Sequence, residues 1–248
     1  MSSGSEKGGP MPGIAEQFHQ NTVYSRKKPF AGSRPSRQAE PFKEYPNSKR
    51  LKLEPPDLPK GSLWQALKNR RSRREFIKEP ITKEQLALLL WACQGVTSKI
   101  SGYLLRTAPS AGALYPVETY LVINRVQGID PGIYHWNIQA QALELLKQGD
   151  FSREIESAAL NQDMCRNGSV VFVFSAIFAR STFKYSDRGL RYIYMDAGHI
   201  CQNLYLACED MNLGCCGIGA FFDDEVNDLF GLDSREESAI YLAAVGKY

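Results

Sequence analysis

The sequence predicts an α+β domain, a central mixed or antiparallel sheet flanked by helices, with an extended N-terminal arm. Three observations predict it. Residues 190–211 repeat apolar side chains (Leu190, Ile193, Ala197, Ile200, Cys201, Leu204, Cys208, Met211) at steps of three, four and seven. That is one face of a helix about 33 Å long. Val117–Ile123 is β-branched and alternating, and 169–177 is apolar on both faces, as a central strand must be. The remaining segments do not alternate strand with helix, which excludes a regular βαβ repeat.

The elements follow in order. Residues 1–60 are the arm: they hold 11 Lys+Arg against 6 Asp+Glu and nine of the 13 prolines, with little apolar periodicity. Phe18, Tyr24, Phe30, Phe42 and Tyr45 are spaced like anchors along a strap that wraps its own domain or a partner. The run Ser25-Arg26-Lys27-Lys28-Pro29 has no nucleic-acid-binding motif beside it, so a nucleic-acid partner is not expected. The domain proper is 61–248. Ser62 can cap a first helix with Leu63, Trp64 and Leu67 on one face. Thr82-Lys83-Glu84-Gln85 is a capping box opening a second helix that ends near Gly95. A Gly/Ser-rich connector leads to the Val117 strand. A hairpin (133–136 with 142–146) and a short helix (151–160) precede the 169–177 strand. Gly214 stops the long helix, Asp223 and Asp224 cap a short one, and 238–245 is the last strand. The sheet is expected to have four or five strands.

Composition narrows the chemistry. No stretch of 18 apolar residues occurs, and the N-terminus lacks the apolar core of a signal peptide. The six cysteines form no C-x-x-C pair. Reduced thiols of a cytoplasmic protein are expected, with no metal site. Neither a P-loop nor a G-x-G-x-x-G fingerprint is present. His19, His135 and His199 are the only histidines, too few and too scattered for a Ser-His-Asp or metal-His centre. Redox or group-transfer chemistry would therefore need a bound cofactor.

Three segments suit one. In an extended Arg70-Arg71-Ser72-Arg73-Arg74, side chains 70, 72 and 74 share a side, two guanidinium forks and a hydroxyl fit for a phosphate. A solvated basic helix end is the alternative. Arg106-Thr107-Ala108-Pro109-Ser110-Ala111-Gly112-Ala113-Leu114-Tyr115-Pro116 is a fixed, side-chain-poor loop that a flat ring can approach, or an ordinary turn. Gly214-Cys215-Cys216-Gly217-Ile218-Gly219-Ala220 reads as a second backbone-rich loop, or a tight connection; its cysteines suit packing rather than redox work.

The strings RRSRREF (70–76), RTAPSAGALYPVE (106–118), KYSDRGLRY (184–192), DAGHICQNLYLA (196–207) and GIGAF (217–221), in this order, resemble the FMN-dependent nitroreductase superfamily. Within it they resemble the SagB-type dehydrogenases, flavin oxidases linked to thiazole- and oxazole-modified peptides. The likeness covers 61–248, and FHQNTVYSR is similar to that subgroup's N-terminal extension. It implies a nitroreductase-like sandwich that forms a homodimer with FMN at the interface. Arg70, Ser72 and Arg74 would hold the phosphate and ribityl side, with Arg71 contributing backbone. Pro109, Ser110 and Ala111 would cover the ring from the partner. Gly217, Ile218, Gly219 and Ala220 would supply amides at the ring edge, and Gln162 an amide side chain. Of the family's C-terminal basic residues only Lys247 is available.

Lys184-Tyr185 matches the Lys-Tyr pair of azoline oxidases in this group, a base and a relay for oxidising a thiazoline or oxazoline to its azole. From the residues alone, a surface-loop pair is the plainer account. Arg106 is a candidate cation near the flavin. The alternative function is an NAD(P)H-dependent reduction of nitro compounds or other small molecules. A non-catalytic flavin-fold subunit of a modification complex is the alternative of another class.

Overall fold

The computed structural model describes residues 13–27, 62–100 and 102–248. In chain order these form α1 (Ile14–Thr22), α2 (Ser62–Asn69), α3 (Lys83–Gln94), β1 (Val96–Ile100), β2 (Tyr103–Arg106), β3 (Val117–Ile123), β4 (Gly132–Asn137) and β5 (Ala142–Gln148). Then come α4 (Ser152–Ala158), α5 (Met164–Asn167), β6 (Val170–Ile177), α6 (Phe178–Tyr185), α7 (Gly189–Asp210), β7 (Gly214–Ile218), α8 (Asp223–Phe230) and β8 (Glu237–Gly246). The main sheet is six-stranded, ordered β5-β4-β3-β6-β8-β7, with every neighbouring pair antiparallel.

β6 is central because its sequence has no polar face to offer water. Phe172 and Phe174 enter the core on the side of α3 and α7, against Leu89, Leu90, Ile200 and Leu204. Val171 and Val173 enter the opposite core with Ile155, Val226 and Leu242. Helices thus cover both faces, the layered α+β arrangement that the sequence predicts. Each fully buried phenylalanine contributes about 1.5–3 kcal/mol relative to exposure. The α3 capping box forms as read: Thr82 Oγ1 accepts the Gln85 N–H at 3.1 Å, and Gln85 Oε1 accepts the Thr82 N–H at 3.0 Å.

Three expectations need correction. The segment 214–220 is not a loop throughout, since Gly214–Ile218 is strand β7, registered from Gly214↔Gly246 to Ile218↔Leu242 on β8. Its glycines serve close packing. A Cβ on Gly217 would lie 2.3 Å from the Tyr241 hydroxyl, and one on Gly214 2.8 Å from the Phe76 ring. The sheet therefore has six strands, and the connector after α3 contains a separate hairpin, β1–β2. The N-cap of α8 is Phe222, whose side chain has no polar atom to cap with; Asp223 and Asp224 lie one and two residues further on, where Asp223 accepts the Tyr24 N–H and Asp224 accepts both the Ser25 hydroxyl and the Glu225 N–H.

Within the arm, Phe18 meets Tyr194 edge-on at 6.5 Å, and His19 lies 4.9 Å from the Phe178 ring. Tyr24 donates its N–H to Asp223 Oδ2 (2.9 Å) and accepts the Asp223 N–H (3.1 Å). Ser25 donates to Asp224 (2.7 Å), and Arg26 pairs with Glu225 and donates to the Ser157 carbonyl (2.8 Å). Phe30, Phe42, Tyr45, the side chain of Ser62 and the expected boundary at 60/61 lie outside the described residues. Among those described, no helix is long and apolar enough to cross a membrane.

Candidate functional site

Residues 70–74 run extended beside the free edge of β7. Ser72 bridges Cys215 in parallel, and the Arg73 N–H donates to the Cys215 carbonyl at 3.0 Å. Alternation then sorts the side chains. Arg70 stacks toward the Tyr205 ring (5.3 Å), and Ser72 Oγ lies 3.1 Å from the Tyr205 hydroxyl. Arg73 faces away, over Tyr248 (3.9 Å) and 3.8 Å from Glu209. Arg71 caps the Lys68 and Arg70 carbonyls (3.3 and 2.8 Å), and Arg74 reaches the Ser72 carbonyl at 3.5 Å. Among the described residues, no carboxylate lies within ion-pair distance of Arg70, Arg71 or Arg74. Lys247 is different: its ammonium pairs with Glu79 at 3.0 Å.

Tyr205 links this segment to β7. Its hydroxyl accepts the Gly217 N–H at 2.6 Å, and burial raises its phenol above the usual range. The Gly217 amide is thereby taken, and Ile218 is buried within the strand. Open backbone remains at the exposed Gly219 and Ala220. Gln162 does not aim its amide nitrogen outward. It donates to the Ala159 and Ala220 carbonyls (2.9 and 3.0 Å) and so steadies that loop.

A second cluster gathers around 106–116. Thr107 ties the loop to the end of α3, its hydroxyl donating to the Ala92 carbonyl at 2.9 Å. Arg106 donates to Gln94 Oε1 (2.6 Å) and stacks on Tyr115 (4.4 Å), so it is a locked structural cation whose basicity burial lowers. Ser110 Oγ donates to Asp196 on α7 at 2.5 Å and accepts the Tyr115 N–H at 2.9 Å. Arg180 holds the Tyr115 carbonyl (3.2 Å) and pairs with Glu118, which lies 3.2 Å from His135. Burial pushes the Glu118 carboxyl up, but the His135 hydrogen bond and the Arg180 charge outweigh it and hold it below the ordinary range. These holds fix a costly backbone. Ala113 and Tyr115 have φ of 53° and 46°, a conformation of order 1–3 kcal/mol per residue. Gly112 (φ 64°) lies under Lys184 and Tyr185: a Cβ there would sit 2.6 Å from the Tyr185 hydroxyl and 2.9 Å from Lys184 Nζ. The pair ends helix α6 rather than lying in a loop, with Tyr185 edge-on to Tyr192 at 4.9 Å. Pro109 is exposed at the loop's rim.

The structure thus joins the 70–74 segment to β7 through Ser72 and Cys215, and through Tyr205, which meets Arg70 and Ser72 and holds the Gly217 amide, while Gln162 holds Ala220 beyond Ile218 and Gly219. It sets Gly112, which follows Pro109, Ser110 and Ala111 in the loop, against Lys184 and Tyr185. The two groups are separate. They attach to α7 at Tyr205 and Asp196, nine residues apart, about 13.5 Å along the axis. Sequence reasoning assigned no role to Tyr205, Asp196, Arg180 or Glu118. Asp196 carried a signal: an acid inside a buried apolar repeat must have a partner. All six cysteines are buried, and burial raises the Cys93, Cys201 and Cys215 thiols and pushes Cys165 up to about 12, as packing thiols should be. No cluster of metal ligands occurs among the described residues.

Comparison with known proteins places this arrangement. The nitroreductase family pattern matches residues 67–247. A nitroreductase-type protein of Methanocaldococcus jannaschii is 33% identical over 197 residues, 79% of this chain and 96% of that one. The trifolitoxin-processing protein TfxB of Rhizobium leguminosarum bv. trifolii is 28% identical over 151 residues (59% of this chain, 40% of TfxB). The microcin B17-processing protein McbC of Escherichia coli is also 28% identical over 151 residues (58% of this chain, 55% of McbC). The chain therefore spans about half the length of these processing proteins. A solved nitroreductase-type structure from Anabaena variabilis superposes with a TM-score of 0.65 at 34% identity, covering 75% of this chain and 38% of that one. By sequence and by fold, the chain belongs to the nitroreductase family of oxidoreductases.

Proposed function

We propose that the chain is an FMN-dependent dehydrogenase that works as a homodimer and oxidises peptide-borne azolines to azoles. One observation carries this reading: each chain offers two incomplete half-sites at separate stations of α7. One presents cations that, among the described residues, have no acidic partner, on a segment bridged to β7, whose end leads to the exposed Gly219 and Ala220. The other presents a Lys-Tyr pair on a fixed, small-residue loop. A second copy related by a two-fold axis would set one chain's loop against the other's cation cluster.

The donor set fits FMN. Arg70 and Arg74 have fork geometry for a phosphate dianion, with Ser72 as a third donor and Arg71 beside them. Gly219 has open space where a Cβ would stand, so a ring edge can approach the backbone. Pro109, Ser110 and Ala111 of the second copy would cover the ring by shape. FMN, when bound, would supply the two-electron acceptor that the oxidation of an azoline to an azole requires. Lys184 Nζ would take the proton from an azoline carbon, and the Tyr185 hydroxyl would orient the ring or relay the proton. Lys184 is exposed in the single chain, so its shielding from water comes from the second copy and the substrate.

The likeness to the two processing proteins supports a peptide substrate. The likeness to nearly the whole M. jannaschii protein favours a second reading, an NAD(P)H-dependent reductase of nitro compounds or other small molecules. Purified protein decides among these. The first reading expects a yellow protein that binds FMN, converts an azoline peptide, and loses about 100-fold in kcat on Lys184→Ala while keeping FMN. Lys184→Ala with full turnover removes the base role. NAD(P)H oxidation without azoline turnover selects the reductase. A colourless protein that rejects FMN selects a non-catalytic subunit.

A further inference from the structure

The 106–116 loop adopts a backbone that must be held from outside. Gly112, Ala113 and Tyr115 have φ of 64°, 53° and 46°, a region that alanine and tyrosine avoid. One hold comes from α7. The carboxylate of Asp196, only 5% exposed, accepts the Ser110 hydroxyl at 2.5 Å and the Ala111 amide. Ser110 Oγ in turn accepts the Tyr115 N–H at 2.9 Å. One buried carboxylate thus ties both ends of the left-handed stretch, directly at Ser110 and Ala111 and through a hydroxyl at Tyr115. Burial raises the Asp196 carboxyl, and the bonds from Ser110 and Ala111 oppose that shift. Buried polar groups are kept where their hydrogen bonds are complete, and this one completes them on the loop. The loop's apex then meets the Lys-Tyr pair: the Gly112 Cβ position is 2.9 Å from Lys184 Nζ and 2.6 Å from the Tyr185 hydroxyl. A loop that relaxed by an ångström would move the surface on which both groups rest.

We propose that Asp196 is a positioning residue: through Ser110 and Tyr115 it fixes the turn at Gly112 and so sets where Lys184 and Tyr185 stand. The clamp itself rests on geometry. Its catalytic consequence rests on the dehydrogenase reading above. The Ser110 hydroxyl and Ala111 N–H are committed to the clamp, so they offer a ring shape rather than hydrogen bonds.

Hydrogen exchange on the full chain, read by mass spectrometry, tests the clamp with or without FMN. Asp196→Asn and Ser110→Ala should each speed exchange in 106–116 about tenfold. Protection of 170–177 stays at the wild-type level, which shows that the variants fold. The double variant should exchange no faster than the faster single variant, because the two residues act as one unit. Ser110→Thr keeps the hydroxyl and should restore protection. In turnover, Asp196→Asn should lower kcat at least about tenfold, and lower kcat no further when added to Lys184→Ala. Unchanged exchange in 106–116, additive single effects, or faster exchange with wild-type kcat overturns the proposal. A wild-type protein that neither binds FMN nor turns over sinks the dehydrogenase reading, and the exchange comparison still decides the clamp.

Discussion

At the scale of single residues, what decides function is which polar groups remain uncommitted. Among the described residues Arg74 has only a long contact to the Ser72 carbonyl, whereas Lys247 is paired with Glu79. A charge-assisted hydrogen bond to phosphate contributes about 1.5–3 kcal/mol, so Arg74→Ala should weaken FMN binding about 10- to 150-fold in a fluorescence titration. Lys247→Ala breaks an exposed ion pair of about 0–1 kcal/mol and should shift the Kd less than about threefold. Equal effects from the two variants would remove the assignment of the phosphate to the 70–74 segment. The alternation of 70, 72 and 74 was legible, because side-chain direction in an extended segment follows from covalent geometry. The partners were not. That Gly217 gives its N–H to Tyr205, and Gln162 its amide to Ala220, depends on contacts between residues 12 and 58 positions apart. No local pattern encodes those contacts.

At the scale of elements, the arm shows how an acidic helix start can serve something other than its own helix. Asp223 turns its carboxylate to the Tyr24 N–H, and burial raises its pKa from 3.8 to about 6, against the pull of that bond and with a smaller push from Asp224. The sign follows from proton counting. Between about pH 4 and 6 the folded state holds more protons than the unfolded one, so this group's contribution to stability falls as pH rises through that window. Asp223→Asn makes the group permanently neutral. Melting temperatures should then be higher than wild type at pH 7, converge near pH 4, and lose the slope between. A variant that melts lower at pH 7 would show that the carboxylate's attraction to the helix start and to Tyr24 outweighs its desolvation. Elements with strong periodicity or capping chemistry were legible: α7, β3, β6 and the Thr82–Gln85 box all lie where pattern puts them. β7 was not. Gly-Cys-Cys-Gly reads as a turn by composition, and only the bulk of Tyr241 and Phe76 behind it explains why small residues occupy a strand. Tertiary packing overrode propensity there.

At the scale of the whole molecule, the single chain leaves a surface unfinished. α2 and α3 each pack on α7, and the outer sides of the three helices expose Leu63, Leu67, Leu88, Trp91 and Met195, several of them more than half. Along α7, Arg191, Met195, Gly198 and Gln202 form one exposed line at steps of four, three and four, the spacing of a helix face. In the homodimer proposed above this exposed apolar face would be the association surface, and a stable interface covers about 800 Å² per partner. The same line overlaps the stretch of α7 from Asp196 to Tyr205 that carries the two clusters, so a homodimer interface built on it would lie close to both. Met195→Glu puts a charge into that seam without touching the core or any hydrogen bond of either cluster. Light scattering should then report a monomer that melts cooperatively yet has lost at least tenfold in FMN affinity. Were the variant monomeric with wild-type FMN affinity, one chain would hold the flavin by itself, and the contribution of Pro109, Ser110 and Ala111 from a second copy would have to be abandoned.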